Sequence, residues 1–431
     1  MARTKLAIIG AGSYVFGPSV LNDALFDHKL NDIELALMDV DGQVVELLAG
    51  VGRRMAREAG VDAALSAHTK LDSALDGADF VICCAARQLQ TRFATDCRII
   101  ERYAPGHCAT EFGGVSGISY SLRQIALIEE ICSAMKRRCP DAWLLNSANP
   151  LPRVCQAAHE LGIRTVGFCS VSISLYGTLW RVLTGDETRY PFAEGRESWR
   201  AVMAGLNHFS WLLALVDLNT GNDLLTDLRT DLLAKGTGAP RVDKEFRSTG
   251  YLLAVPDNHC CDFLAPDENS RPRAEASHGS EDQRAARLAL LGEIARGETG
   301  FSEFLANPSW ERPIDLVAAL AFDKRMEFSS LNLINDGQIP NLPANVFVET
   351  PAVASRDGIV PEKLSLPQPI LEHCTRTAKV TDAIVRAALQ RRCSLVHEAA
   401  QLDPTIVDKA AGIRALDECL RAHADVLPRY E

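Results

Sequence analysis

The sequence predicts an α/β protein: a doubly wound parallel sheet in the N-terminal half and an α+β unit in the C-terminal half. Three observations predict it. Short apolar runs alternate with stretches of helical spacing as far as Cys169, and strands alternating with helices build a parallel sheet covered on both faces. A glycine-rich turn directly follows the first of these runs. The alternation then stops near residue 195, after which long helical stretches dominate. A chain of 431 residues has length for two or three domains. The boundary is drawn between 1–195 and 196–431.

The elements follow in order. Lys5–Ile9 is an apolar run, and Gly10-Ala11-Gly12-Ser13 ends it. A helix is expected over Gly17–Phe26, a strand over Ile33–Met38 and a helix over Val44–Ala59. Phe80–Ala85 reads as a strand, Ile118–Arg138 as a long helix and Trp143–Leu145 as a strand. Pro152–Glu160 reads as a helix and Arg164–Cys169 as a fifth strand. Beyond the boundary, Ser210–Asp217 is apolar enough for a central strand. Asp257–His278, rich in Asp, Asn, Pro and Cys, reads as a loop. Ile339–Pro351 carries three prolines and reads as an irregular strand. Pro367–Leu427 is helical, broken at Asp403-Pro404.

Composition excludes several function classes. Hydrophobic residues are 47% and charged residues 23%, an ordinary globular balance. The net charge of −11 repels phosphate backbones, so no nucleic-acid partner is expected. No apolar run reaches the length of a membrane span, and no signal peptide is read at Met1. The 13 cysteines are scattered singly or as adjacent pairs, as in a cytoplasmic protein with reduced thiols.

The glycine turn carries the first chemistry. Gly10 permits the tight turn after the strand, and Gly12 lets backbone approach a pyrophosphate. Ser13 leads into a helix whose free N–H groups attract an anion. The third glycine of the usual pattern falls at Val15 and is absent. Asp39 ends the second strand, where a carboxylate accepts the ribose hydroxyls of NAD and repels the extra phosphate of NADP. The set reads as a Rossmann-type unit binding NAD. Asp39 as a simple turn residue is the competing reading.

At this point the chain resembles the NAD- and metal-dependent family 4 glycoside hydrolases, within the lactate/malate dehydrogenase-like superfamily. The resemblance runs along nearly the whole length. It rests on Ile8-Ile9-Gly10-Ala11-Gly12-Ser13, Thr110-Glu111-Phe112-Gly113-Gly114, and Pro140–Asn146 with Asn149-Pro150. It continues in Gly205-Leu206-Asn207-His208-Phe209, Ile339–Pro343, Val348-Glu349-Thr350-Pro351 and Leu402-Asp403-Pro404. Two departures stand out. Ser170 follows Cys169 where the family usually has His, and the Arg87–Arg92 loop is altered. The chain therefore reads as a divergent relative, set beside the NAD-dependent sulfoquinovosidases, with an anionic sugar glycoside as the expected substrate.

The resemblance implies a site. Cys169 and His208 would share a divalent metal such as Mn, a pairing that thiolate and imidazole chemistry allows. Tyr251 would be the base that removes a sugar proton, with a neighbouring cation to help it. His208 and Asp257 join it as catalytic candidates, and His259 follows as a substrate-binding candidate. Glu111 and Asn149 are expected at NAD, Asn149 also at the substrate. Arg87 and Arg92 suit a carboxylate, phosphate or sulfonate. The bland alternatives stay open: Cys169 as a buried thiol, Tyr251 as a packing ring, Asn149 as a turn residue, His259 and the two arginines as solvated surface.

The implied reaction is glycoside hydrolysis with catalytic NAD: oxidation at C3, deprotonation at C2, elimination, addition of water and return of hydride. Two other readings compete. An NAD-dependent 2-hydroxyacid dehydrogenase would need a His–Asp pair and an arginine clamp, which the sequence does not show at the strand ends. An NAD-sensing regulator would bind NAD without turnover. The long C-terminal helices, together with the family resemblance, imply a homodimer or homotetramer.

Overall fold

The computed structural model describes residues 3–13, 15–186, 192–270, 281–306 and 310–431. Positions 271–278 of the expected Asp257–His278 loop lie outside the described residues. The strands are β1 (Thr4–Ile9), β2 (Ile33–Met38), β3 (Ala63–His68), β4 (Phe80–Cys83), β5 (Trp143–Asn146) and β6 (Arg164–Gly167). β7 (Trp199–Leu206), β8 (Phe209–Asp217), β9 (Met326–Ile334), β10 (Phe347–Ser355) and β11 (Gly358–Pro361) follow.

All eleven join one sheet, in the order β3-β2-β1-β4-β5-β6-β9-β10-β7-β8, with β11 on β10. The first six are parallel in the order of a dinucleotide-binding sheet, which reverses direction between β1 and β4. Beyond β6 the pairing turns antiparallel. The Gly167–Asn332 pair stitches the halves, and the Glu349–Gly205 pair joins β10 to β7 within the second half.

The burial follows from the sequence. Leu6, Ala7, Ile8 and Ile9 are at most 2% exposed, because helices cover both sheet faces and leave no face for water. One face is packed by helices 89–103, 114–138 and 368–390, the other by helices 42–59 and 313–322. Helix 42–59 shows the local logic. Asp41 caps it by accepting from the Gln43 and Val44 amides. Val44, Val45, Leu48, Val51 and Met55 line its buried face, and Gly60 ends it at φ +67°, a left-handed turn that glycine takes without cost. Each such buried side chain stabilises by about 1.5–3 kcal/mol.

Several expectations needed correction. Ala63–His68 is a strand, though its Ala, Ser and His content hides it; pairing with β2 along its whole length decides. Leu89–Tyr103 is a helix. The fifth strand stops at Gly167, so Cys169 stands just past its end. The irregular strand is Phe347–Ser355, and its register slips between Thr350 and Ala352, at Pro351, which has no N–H to give the ladder. The C-terminal helices break at Asp403 as expected. Among the described residues no helix is long and apolar enough to cross a membrane.

Candidate active site at the carboxyl edge of the sheet

The site is built from strand ends. At the end of β1, Gly10 has φ +85°, and a Cβ there would stand 2.8 Å from the Ala85 Cα. The Gly10 and Ala11 amides both donate to the Met38 carbonyl at 3.0 Å. The Gly12 amide donates to Asp39 Oδ2 at 2.9 Å. Asp39 Oδ1 takes the Asp41 amide at 3.1 Å. The expected set Gly10, Gly12, Ser13 and Asp39 is thus gathered where the strand order reverses. Gly17 does the packing duty of the missing third glycine: a Cβ there would stand 2.4 Å from the Ala11 carbonyl oxygen. The bare backbone forms a cradle that fits a dinucleotide phosphate.

Further along the same edge, Asn149 Nδ2 donates to Glu111 Oε1 at 3.3 Å, so these two candidates meet. Cys169 and His208 also meet, with Sγ 2.9 Å from Nε2. They arrive from opposite halves. Cys169 follows β6, and His208 sits in the two-residue link between the Leu206–Phe209 pair of β7 and β8. His208 holds φ +77°, a left-handed conformation costing about 1–3 kcal/mol in a residue with a Cβ. Burial pushes the Cys169 thiol well above its usual pKa; the Glu349 and Glu311 charges add to this and Asn207 opposes it. Glu349 is itself raised to about 7 by burial, against hydrogen bonds from Ser210 and Asn332.

Among the described residues no three His, Cys, Asp or Glu side chains are grouped to hold a metal ion. Cys169 and His208 therefore offer two protein donors. A catalytic site keeps a position open for substrate or water, and with two protein donors an ion here would take the rest of its shell from them.

Aromatic and acidic groups wall the pair. The Phe112 ring lies 4.6 Å from the His208 ring and 5.6 Å from Phe263. The His259 ring meets His208 edge to face at 4.7 Å. Asp262 backs His259, with Oδ2 3.1 Å from Nδ1. Its Oδ1 accepts the amides of Glu111 at 2.9 Å and Phe112 at 2.8 Å. Burial opposes ionisation of Asp262, yet the His259 hydrogen bond and charge, with the Phe112 amide, hold its pKa below the usual aspartate value. Sequence reasoning missed Asp262. It stands three residues beyond His259 on a short helix, Asp257–Asp262, and that spacing was the available signal.

Four candidates are placed elsewhere. Tyr251 lies on a segment antiparallel to β8, where Leu252 accepts from the Leu212 amide and Ala254 donates to Ser210. Continued from the Trp211–Leu253 pair, that register sets Tyr251 level with Leu213, further along β8 from the link that bears His208. Its ring lies under the Arg229 guanidinium at 4.9 Å. Asp257 Oδ1 accepts the Arg241 and Val242 amides at 2.6 and 3.1 Å, capping helix 240–249. Arg87 pairs with Glu130 at 2.8 Å. Arg92 donates to Asp425 at 2.7 Å and to Gln88 at 3.0 Å. Both arginines are already spent on the protein's own acids.

Comparison with known proteins agrees with this architecture. Residues 5–184 match the model of the family 4 glycosyl hydrolases, and residues 203–406 match that family's C-terminal domain. The α-galactosidase of Bacillus subtilis (strain 168) is 27% identical, over 99% of this chain and 100% of its own. A 6-phospho-α-glucosidase from gut microorganisms, solved in complex with NAD and Mn²⁺, superposes with a TM-score of 0.78 at 21% identity, covering both chains fully. A malate dehydrogenase from Plasmodium falciparum in complex with NADH reaches 0.51 at 13% identity, over 91% of this chain and 99% of its own. The fold is thus that of the family 4 glycosidases with a more distant dehydrogenase likeness, and the chain belongs to the family 4 glycosyl hydrolases.

Proposed function

We propose that this chain hydrolyses a glycoside through transient oxidation of the sugar, with NAD as a catalyst and not a co-substrate. The observation that carries this reading is the meeting of Cys169 and His208 at 2.9 Å on the sheet edge that also bears the Gly10–Gly12 cradle and Asp39. Bound NAD supplies reversible hydride removal at C3, and a divalent cation such as Mn²⁺ polarises the sugar oxygens. Asp39 and the Gly10, Gly12 and Ser13 backbone would hold the adenosine half of NAD, with Glu111 and Asn149 nearer the reacting end. Cys169 and His208 would hold the cation, and His259 would contact the sugar. Hydrolysis without two opposed carboxylates is a known departure from the usual glycosidase scheme, and in it the cofactor does the hard chemistry.

A neutral hexoside is the substrate proposed first. A sulfoquinovoside or other anionic sugar would need a cationic clamp, and among the described residues the two expected arginines are paired, Arg87 with Glu130 and Arg92 with Asp425. The thirteen free thiols suit a cytoplasmic enzyme, and a homodimer or homotetramer is the proposed assembly. The His259–Asp262 pair also suits a 2-hydroxyacid dehydrogenase, the second reading. Its carboxylate clamp meets the same difficulty at Arg87 and Arg92.

One experiment separates these readings. Nitrophenyl glucoside, galactoside, glucuronide and sulfoquinovoside are incubated in heavy water, with and without NAD and Mn²⁺. The proposal expects hydrolysis only with NAD, no net NADH, and deuterium at C2 of the released sugar. Hydrolysis without C2 label sinks it, and stoichiometric NADH from a hydroxyacid favours the dehydrogenase.

A further inference from the structure

Asp262 lies across both halves of the site. Its side chain is 4% exposed. Oδ1 takes the amides of Glu111 at 2.9 Å, Phe112 at 2.8 Å and, at the edge of the range, Gly113 at 3.4 Å. The contact is close enough that a Cβ on Gly113 would stand 2.2 Å from the Asp262 carbonyl oxygen. Oδ2 faces His259 Nδ1 at 3.1 Å. Amide donors crowding one oxygen favour the carboxylate, which can only accept hydrogen bonds. The hydrogen between Oδ2 and Nδ1 therefore belongs to the ring.

We infer that Asp262 fixes His259 as its Nδ1–H tautomer, so that Nε2 offers a lone pair to a hydroxyl of the sugar beside Cys169 and His208. The second nitrogen's state follows from the hydrogen bond the first one makes. His259 is placed for this role. Its ring meets His208 edge to face at 4.7 Å, and its side chain is 23% exposed, so a ligand can reach it. A hydroxyl that donates to Nε2 keeps its own lone pairs for the Cys169–His208 pair or for a cation held there. One sugar oxygen can then be shared between the two histidines, which orients the ring of the substrate. Asp262 is a positioning residue in this account, and it also holds the Glu111 backbone. A single carboxylate thus sets the distance between the loop that bears Glu111 and the histidine that meets the sugar.

The identity of the hydroxyl rests on the glycoside reading above; the tautomer does not. The test is ¹⁵N spectroscopy of the full chain, ring-labelled at its 10 histidines, at pH 8 and without substrate. His259→Gln identifies the His259 signals by their loss. The inference expects a protonated Nδ1 and a bare Nε2 in the unsubstituted protein. Asp262→Asn keeps an oxygen for the amides but turns an N–H toward Nδ1, which moves the ring hydrogen to Nε2. The signals should exchange character, and turnover should fall by about 10⁴-fold, as when Asn replaces the orienting Asp of a hydrolase triad. NAD affinity should stay within about threefold, because Asn still accepts the loop amides. A bare Nδ1 or a doubly protonated ring in the unsubstituted protein overturns the inference and requires no variant to fold. Reversed signals with undiminished turnover overturn the positioning role. Because the spectrum needs no substrate, failure of the C2-exchange experiment leaves the tautomer result standing, and the converse holds.

Discussion

The Gly12 amide donates to Asp39 Oδ2 at 2.9 Å, and a Cβ on Gly12 would stand 2.6 Å from that same oxygen. The turn after β1 and the end of β2 are therefore one device. Gly12→Ala forces the carboxylate to move, and Asp39→Ala removes it. Asp39→Ala should weaken NAD by about 1.5–3 kcal/mol, the worth of a charged hydrogen bond, and affect NADP far less. Titration of each cofactor against intrinsic fluorescence measures both. Equal affinity of the unsubstituted protein for NAD and NADP would remove Asp39 from the diol.

A second expectation concerns the cation. Two protein donors make an open and weakly held ion, so excess chelator should abolish turnover and Mn²⁺ should restore it. Cys169→Ser replaces the thiol by a poorer ligand and should raise the Mn²⁺ concentration needed for half-maximal rate by tenfold or more, on the order of 1.4 kcal/mol. Full activity in excess chelator would leave His208 as a hydrogen-bonding group alone.

Five strands of the six-strand parallel half were legible because they are continuous apolar runs between turn residues. β3 was not, since Ala63, Ala64, Ser66 and His68 carry no period that marks a strand; its partner β2 supplies the order. The cofactor turn was legible because its residues are neighbours in sequence. Cys169 and His208 were reached by resemblance, being far apart in the chain. Asp262 was hidden for a different reason. Its function lies in accepting backbone amides from residues 111 and 112, and amides have no sequence signature. The partners of Arg87 and Arg92 were not legible because Glu130, on helix 114–138, and Asp425, in the turn after the last helix, are far away in sequence.

Stability should depend on pH through Asp23. Burial raises its pKa to about 7, with Asp315 and Asp27 adding to the rise and Arg312 opposing it. A carboxyl whose folded pKa lies above its unfolded value favours the fold while protonated. That contribution is fully present below about pH 4 and is lost as pH rises through 7. Asp23→Asn cannot ionise, so its stability relative to the parent should improve steadily between pH 4 and pH 7 and level off above. A rise of about three pKa units corresponds to about 4 kcal/mol at most. Denaturant midpoints at pH 5 and pH 8 measure the change, and a difference that does not vary with pH would contradict the raised pKa.

The last expectation separates residues named by resemblance from those placed by the fold. Tyr251 stands under Arg229, five positions along the β8 register from His208, and its backbone is fixed by Thr249 Oγ1 at 3.2 Å. On this placement its ring is engaged by Arg229, whereas the rings that meet His208 are Phe112 and His259. Tyr251→Phe keeps the ring and the cation contact, so turnover should stay within about threefold, the ordinary range of a change away from the chemistry. A lost general base would instead cost about 10²–10⁴-fold. Asp257 gives a matching contrast. Its carboxylate caps the Arg241 and Val242 amides, so Asp257→Ala should lower stability by about 1 kcal/mol and leave kcat nearly unchanged. Paired measurements of kcat and melting temperature decide both. A hundredfold fall in kcat for Tyr251→Phe at an unchanged melting temperature would return its hydroxyl to the reaction.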